Sequence, residues 1–320
     1  MSEEKIDKNV IIPVVLMGGL FLLIYGLVLS LINPFVQKGG VSSAFENIND
    51  PFNILYIIIV MIIFTAIILI IAKYWKEKLI QFIILGAVGY TSFFAFFLPL
   101  FTIYLPFFAY EILIILSIIC ALMLVILLYK YPEWYVIDIA GIIVGVGAII
   151  IFGISLSVTL VIILLVALAI YDAISVYKTK HMVDLADTVM DLKLPVLMVI
   201  PKKIGYSLIK ETKRLKEKLE EGSEREAFFI GLGDIVMPGI LIVSAYNFVV
   251  TNNSFVPIKG LYLAISTIIG TLVGFSFLMI FVLRGKPQAG LPLLCGGAII
   301  GYIIGSIVIF GSIVGLVLPW

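Results

Sequence analysis

Residues 231–238 read GLGDIVMP, and they place Asp234 near the start of an apolar run that continues to Val250. The surrounding chain has 320 residues, of which 62% are hydrophobic and only 13% are charged. Soluble proteins are about half apolar and about a quarter charged, so this composition indicates an integral membrane protein. A carboxylate deep in a membrane span costs about 2.5 to 3.5 kcal/mol on insertion scales. Asp234 is therefore a candidate functional residue.

Nine apolar runs approach the roughly 20 residues that a helix needs to cross a bilayer. They predict an all-α, polytopic membrane protein. The spans cover approximately residues 11–32, 52–72, 79–99, 106–129, 135–152, 155–177, 227–250, 256–283 and 291–316. Only Gly153, Ile154 and Ser155 separate the fifth run from the sixth, so eight spans is the alternative count.

Lysine and arginine give the orientation, because cytoplasmic loops carry an excess of both. With nine spans and the N-terminus inside, 19 of the 21 basic residues lie on the cytoplasmic side, and Lys38 and Lys259 lie outside. We therefore expect a multi-pass protein of the cell membrane with a cytoplasmic N-terminus and an exterior C-terminus. Its parts would be a six-helix segment (1–177), a cytoplasmic loop (178–226) and a three-helix segment (227–320).

The loop contains two segments of interest. Residues 206–220 place Leu208, Leu215 and Leu219 at helical spacing among charged residues, which predicts an amphipathic helix on the inner membrane surface. A solvated connector is the alternative interpretation. Residues 194–201, LPVLMVIP, are apolar but too short to span, and we expect them to dock against the bundle or cover an entrance.

Glycines recur at four-residue spacing in the last span, at Gly297, Gly301 and Gly305. Such stripes let two helices approach closely. We expect them to pack inside the bundle, and oligomerisation is the less favoured interpretation.

Four acids fall within or beside the apolar spans. Glu111 and Asp138 lie near span starts, and we interpret them as interfacial anchors or caps. Asp172 lies six residues before the polar loop and Asp234 lies eight residues after it, which are depths of about 9 and about 12 Å in a helix. Two consecutive antiparallel helices therefore hold an acid at nearly the same depth, and the acids are expected to face each other.

Two neighbouring carboxyl groups suit acid–base chemistry. Like charges in a low dielectric cannot both ionise, so such a pair holds one proton over a wide pH range. One group can then take a proton from water while the other donates to a carbonyl oxygen. The same pair could relay protons in a transporter, or the acids could be bonded independently to backbone or water. Gly231, Gly233 and Pro238 favour hydrolysis, because they open the backbone beside Asp234.

Three motifs carry a resemblance to a known family. They are Tyr171-Asp172 in the sixth span, Gly231-Leu232-Gly233-Asp234 in the seventh, and Pro292-Leu293-Leu294 in the last. The chain resembles the presenilin and signal peptide peptidase family of intramembrane aspartyl proteases, in particular its archaeal homologues. The resemblance implies that Asp172 and Asp234 are catalytic and that the other motif residues position the substrate. Leu293 stands where the family's Pro-Ala-Leu motif has alanine, so the packing at the start of the last span is expected to differ from that of the family.

The resemblance implies an aspartic endopeptidase that works alone on transmembrane-helix polypeptides in the bilayer, either membrane proteins or signal-peptide remnants. Such a substrate must unwind, and we expect residues just before Gly231 and near Pro292 to pair with its extended backbone. No cofactor, nucleic acid or metal is expected, since His181 has no neighbouring ligand and Cys120 and Cys295 lack metal spacing. The alternatives are a proton-coupled transporter or ion channel, and a prepilin-type peptidase.

Overall fold

The computed structural model describes residues 8–37, 43–74, 77–104, 110–179, 197–202, 205–208, 227–252, 256–283 and 288–316. Within these ranges the chain forms nine α-helices and two short β-strands. The helices are α1 (Lys8–Gln37), α2 (Phe52–Tyr74), α3 (Glu77–Tyr104), α4 (Tyr110–Lys130), α5 (Trp134–Ser155), α6 (Val158–Ile174), α7 (Leu232–Thr251), α8 (Pro257–Leu283) and α9 (Gly290–Phe310). A π-helical turn, Ser175–Thr179, continues α6.

These nine helices correspond to the nine apolar runs of the sequence. When only the described residues are counted, eight are long and apolar enough to cross a membrane, and α2 contributes a shorter stretch, Phe52–Phe64. The predicted fold class, a polytopic bundle of membrane helices, is confirmed.

The boundary between the fifth and sixth spans is a break in the helix. Leu156 and Ser157 have extended backbone conformations, so α5 and α6 are separate helices and not one continuous span. The hydroxyl of Ser244 in α7 donates to the carbonyl oxygen of Leu156 at 2.8 Å. That bond satisfies a buried carbonyl that the break leaves without a helical partner.

The prediction that the seventh helix begins near residue 227 was wrong. Residues Ala227–Gly231 form a strand, β2, which pairs antiparallel with β1 (Leu197–Pro201), and Val199 lies opposite Phe229. Helix α7 begins only at Leu232. A hydropathy window cannot distinguish a five-residue strand from the first turn of a buried helix. The aromatic and β-branched residues of β2 favour the strand.

The last helix is also shorter than predicted. Helix α9 ends at Phe310, not near residue 316, because Gly311 takes a left-handed backbone conformation with φ of 77°. Glycine is the residue that most readily adopts this conformation and ends a helix.

Helix α7 lies at the centre of the bundle and contacts α1, α5, α6, α8 and α9. Every residue of α7 from Ile240 to Ala245 is buried. By contrast, α4 presents exposed apolar side chains such as Ile115, Ile119 and Leu122, as expected for a face toward lipid. The position of the central helix is therefore determined by packing on several sides.

Helices α8 and α9 approach each other through their glycines. A Cβ atom added at Gly270 of α8 would collide with the backbone of Gly297 and Gly301 of α9. One at Gly274 would collide with the carbonyl of Leu293. The glycine stripe thus packs within the chain, as expected, and it holds the start of α9 close to α8.

The predictions for the loop can be checked only in part. Residues 197–201 dock on α5 as β1, in agreement with the expected docking. Residues 205–208 form a turn and irregular backbone, and the rest of the predicted amphipathic helix lies outside the described residues. His181 also lies outside them.

Candidate active site

Asp172 lies two residues before the end of α6, which the π-helical turn follows. Its side chain is only 8% exposed. The backbone N–H of Leu291, at the start of α9, donates to its Oδ2 atom at 3.1 Å. The N–H of Gly290 faces the same carboxyl group. The acid of the sixth span is therefore held by the beginning of the ninth helix.

Asp234 lies in the first turn of α7, three residues after β2 ends. Its carboxyl group lies against two glycines. A Cβ atom added at Gly290 would lie 3.2 Å from its Oδ2, and one added at Gly231 would lie 3.3 Å from the same atom. Glycine at both positions therefore leaves the space that the carboxyl group occupies.

The two acids meet at the N-terminus of α9. A Cβ atom added at Gly290 would touch the carboxyl group of Asp234, and the neighbouring residue, Leu291, donates its N–H to Asp172. The acids are close enough to interact electrostatically. Backbone N–H groups in the first turn of a helix have no helical acceptor, so they are available to the carboxyl groups. Both carboxyl groups thus lie beside the first turn of α9, and the expectation that they face each other stays a prediction.

The remaining residues of the GLGD motif have distinct environments. Gly231 is the last residue of β2 and precedes α7 with an extended backbone. The side chain of Leu232 packs on α5, 3.2 Å from where a Cβ atom of Gly145 would stand. Gly233 is exposed, and nothing described lies within 4 Å of a Cβ atom added there. The motif is thus packed at Leu232 and open at Gly233.

The Pro-Leu-Leu motif forms the first turns of α9. Pro292 is the third residue of the helix, where a missing N–H removes no helical hydrogen bond. The backbone of Leu293 lies against Gly274, and Leu294 is fully buried. These contacts fix the helix start that holds both acids.

Tyr171, the other motif residue, does not join the acids. Its side chain is 70% exposed and lies on the outer surface of α6. A different tyrosine, Tyr177, donates to the side-chain oxygen of Gln288 at 2.9 Å. This bond links the end of α6 to the segment that leads into α9.

Tyr25 supports the helix turn that bears Asp234, and the sequence alone did not identify it. It lies in α1, is fully buried, and donates its hydroxyl to the carbonyl oxygen of Ile235 at 2.9 Å. Pro238 has no N–H for the carbonyl of Asp234, which is the residue before Ile235. A phenol within the apolar first span was the available signal, since a buried hydroxyl needs a partner.

Asp138 is a second residue whose place differs from expectation. It is 9% exposed, and its Oδ1 atom accepts the backbone N–H of Val199 in β1 at 2.8 Å. The interpretation as an interfacial anchor or cap is therefore replaced by a buried contact with the strand. Glu111, the other acid of that group, is exposed in the first turn of α4, consistent with the interfacial interpretation.

The two cysteines lie in different surroundings. Both are free thiols, Cys120 half-buried in α4 and Cys295 fully buried in α9. What the site offers is two carboxyl groups beside an open stretch of backbone. Such a pair can activate a water molecule and protonate a carbonyl oxygen.

Comparisons with known proteins show which family the chain resembles. The family model described as signal-peptide peptidase, presenilin aspartyl protease matches residues 18–311. The chain shares 31% identity with a solved structure of a presenilin family intramembrane aspartate protease in space group C222. It shares 32% identity with a solved structure of a presenilin family intramembrane aspartate protease in space group P2. The two structures cover 92% and 91% of this chain and 99% and 96% of their own, with TM-scores of 0.66 and 0.65. No curated protein sequence matches the chain.

Proposed function

The chain belongs to the signal-peptide peptidase and presenilin family of aspartyl proteases, and we propose that Asp172 and Asp234 are its two catalytic groups. It is a multi-pass membrane protein and an intramembrane aspartic endopeptidase. A proton-coupled transporter is accordingly not favoured. The observation that carries the assignment is the start of α9, where consecutive residues contact both carboxyl groups.

In the proposed reaction a water molecule lies between the two carboxyl groups. One carboxylate takes a proton from the water, while the protonated partner donates to the oxygen of the scissile carbonyl. The water oxygen bonds to the scissile carbon and forms a tetrahedral intermediate. This intermediate collapses when the carboxyl group that took the proton from water passes it to the amide nitrogen, the C–N bond breaks, and the hydroxyl group on the carbon returns its proton to the other carboxylate. Residues 1–177 supply Asp172 and residues 227–320 supply Asp234, so the two membrane parts joined by loop 178–226 complete one site.

The other motif residues would position the substrate. No described atom lies within 4 Å of a Cβ atom added at Gly233, which suits the close approach of a peptide backbone beside Asp234. Leu232 and the Pro292-Leu293-Leu294 turn would hold the two acids at the required separation through their packing. Tyr171, on the outer surface of α6, would contact the substrate or lipid as the polypeptide enters.

The substrates we propose are transmembrane-helix polypeptides, either membrane proteins or signal-peptide remnants. A helix hides its peptide bonds in internal hydrogen bonds, so the cleaved segment must become extended. Strand β2 offers an edge with which no described strand pairs, and an extended substrate would add there as a further strand. We place the enzyme in the cell membrane with its N-terminus inside, acting without a partner subunit.

A cleavage assay tests the assignment of the acids. Purified protein in detergent receives a tagged single-span peptide, and the products are identified by mass. We expect Asp172→Ala and Asp234→Ala each to reduce the rate by about 10³-fold or more. Glu111→Ala, which removes an exposed acid far from the site, serves as the matched control and should cleave normally. Cleavage by either aspartate variant at the normal rate would overturn the proposal.

A second assay tests the substrate edge. Phe229→Pro removes one outward-facing N–H of β2, and Phe229→Ala removes the same side chain but keeps that N–H. If the substrate pairs with β2, the proline variant should cleave about tenfold more slowly than the alanine variant, since one backbone hydrogen bond is lost. Equal rates for the two variants would contradict pairing at this edge.

A further inference from the structure

Helix α5 presents a matched face to the strand pair and to the GLGD motif. Asp138, Gly141 and Gly145 are spaced three and four residues apart, so they lie on one side of the helix. Asp138 accepts a hydrogen bond from β1. Met198 of β1 covers Gly141, at 3.6 Å from where a Cβ atom would stand, and Leu232 covers Gly145. One helix face therefore contacts both β1 and the segment that leads into Asp234.

The carboxyl group of Asp138 occupies the outer edge of β1. In an antiparallel pair, opposed residues alternate between those that exchange hydrogen bonds and those whose N–H and C=O groups point away. Because the N–H of Val199 donates to Asp138, the pair Val199–Phe229 is of the second kind. Pro201, two residues on, lies in the equivalent position, where its missing N–H leaves the strand pairing intact.

The same alternation leaves the other edge available. Phe229 is opposite Val199, so its N–H and C=O groups point away from β1 toward the outer edge of β2. No described strand pairs with that edge, although the backbone N–H of Gly231, at its end, faces the carboxyl group of Asp234. An additional strand can therefore join at β2, while α5 and Asp138 block addition at β1.

A second acid of the same helix region holds the chain that follows β1. Glu133, the residue before α5, accepts the hydroxyl of Ser207 at 2.6 Å and the N–H of Leu208 at 3.1 Å. Asp138 and Glu133 thus attach two points of the segment that begins with β1 to α5. The strand pair is fixed relative to the bundle on the side opposite its open edge.

We propose that Asp138 is a positioning residue that fixes β1, and through it β2, so that the substrate joins one edge in one register relative to the acid pair. Only two residues, Leu232 and Gly233, lie between the end of β2 and Asp234. A displacement of the strands therefore changes which peptide bond of an added strand reaches the carboxyl groups. This inference rests on the proposed roles of Asp172 and Asp234.

The position of the cut is the readout, because a merely structural residue would not change it. Asp138→Leu removes the acceptor for the N–H of Val199, whereas Asp138→Asn keeps an oxygen that can accept it. Cleavage products of a single-span peptide are identified by mass, and the rate and thermal midpoint are measured for each variant. Ser117→Ala is the matched control, since Ser117 is buried and its hydroxyl donates to the carbonyl of Leu113 in its own helix.

We expect Asp138→Leu to spread the cuts over neighbouring peptide bonds and to slow cleavage about tenfold, the effect of one lost buried hydrogen bond. Asp138→Asn should restore the wild-type pattern. If Asp138→Leu does not fold, Val199→Pro removes the donor instead, at a position where the strand pairing does not use the N–H, and should give the same spread.

An unchanged pattern of cuts in Asp138→Leu or Val199→Pro would overturn the inference, whatever the rate of cleavage. So would a spread that Asp138→Asn fails to restore. The proposed function is tested separately, because its failure would appear as cleavage by Asp172→Ala or Asp234→Ala. If Asp172→Ala and Asp234→Ala are inactive while Asp138→Leu cuts at the normal positions, only the role of Asp138 is rejected.

Discussion

The backbone N–H of Leu291 donates to the carboxyl group of Asp172 at 3.1 Å. The two residues are 119 positions apart in the chain, and the contact brings the end of α6 to the start of α9. Because the preceding residue, Gly290, lies against Asp234, the first turn of α9 fixes both acids at once. Changes at this turn should therefore affect catalysis more than folding.

Gly290→Ala tests the space beside Asp234. Its new methyl group would lie 3.2 Å from Oδ2 of Asp234, so the carboxyl group must shift by a few tenths of an ångström. We expect about a tenfold loss of cleavage rate, since small displacements of catalytic groups are costly. Gly296→Ala in the same helix is the control, because nothing described lies within 4 Å of its new methyl group. Similar rates for the two variants would argue against a tight contact at Asp234.

Tyr25→Phe tests the hydrogen bond from α1 to α7. Removing the hydroxyl leaves the carbonyl of Ile235 without this donor, which should lower the free energy of unfolding by about 1 kcal/mol. It should also slow cleavage, because the helix turn that bears Asp234 becomes less constrained. Thermal unfolding in detergent and the cleavage rate are both measured. Tyr262→Phe, at an exposed tyrosine of α8, should change neither, and equal behaviour of the two variants would contradict the role of Tyr25.

Gly270→Ala tests the close approach of α8 and α9. The added methyl group would collide with the backbone of Gly297 and Gly301, so the helices must separate. We expect a loss of about 1 to 3 kcal/mol in stability, seen as a lower thermal midpoint, and a lower cleavage rate because the start of α9 moves. Gly19→Ala in α1 meets no described atom within 4 Å and should be neutral or slightly stabilising. An unchanged midpoint in Gly270→Ala would show that the interface accommodates a methyl group.

The sequence predicted the apolar helices and the acids within them, because both can be read from composition and from the length of the apolar runs. The nine helices of the described residues follow from the apolar runs. The acid pair follows from the cost of placing Asp172 and Asp234 within those runs at similar depth. The residues just before Gly231 were expected to offer a strand-like edge, but the seventh helix was also predicted to begin at residue 227, because a five-residue apolar run carries no periodicity that separates strand from helix.

The contacts between distant segments could not be predicted in the same way. Tyr25 and Ile235 are 210 residues apart, and Asp138 and Val199 are 61 apart. No local pattern encodes which carbonyl or N–H a buried polar side chain will meet. The sequence did signal that Asp138 needed an explanation, as an acid near the start of an apolar span, but its partner emerged only from the fold.

Whether the two aspartates act as one unit is tested most directly by comparing Asp172→Asn, Asp234→Asn and the double variant. Single-turnover cleavage of a single-span peptide is measured for all three against the wild type. Groups that share one water molecule are strongly non-additive, so the double variant should be no slower than either single variant, each about 10³-fold or more below wild type. Joint action of Asp172 and Asp234 would be contradicted if the fold-reduction in the double variant equalled the product of the two single fold-reductions. A single variant that retains most of its activity would also contradict it.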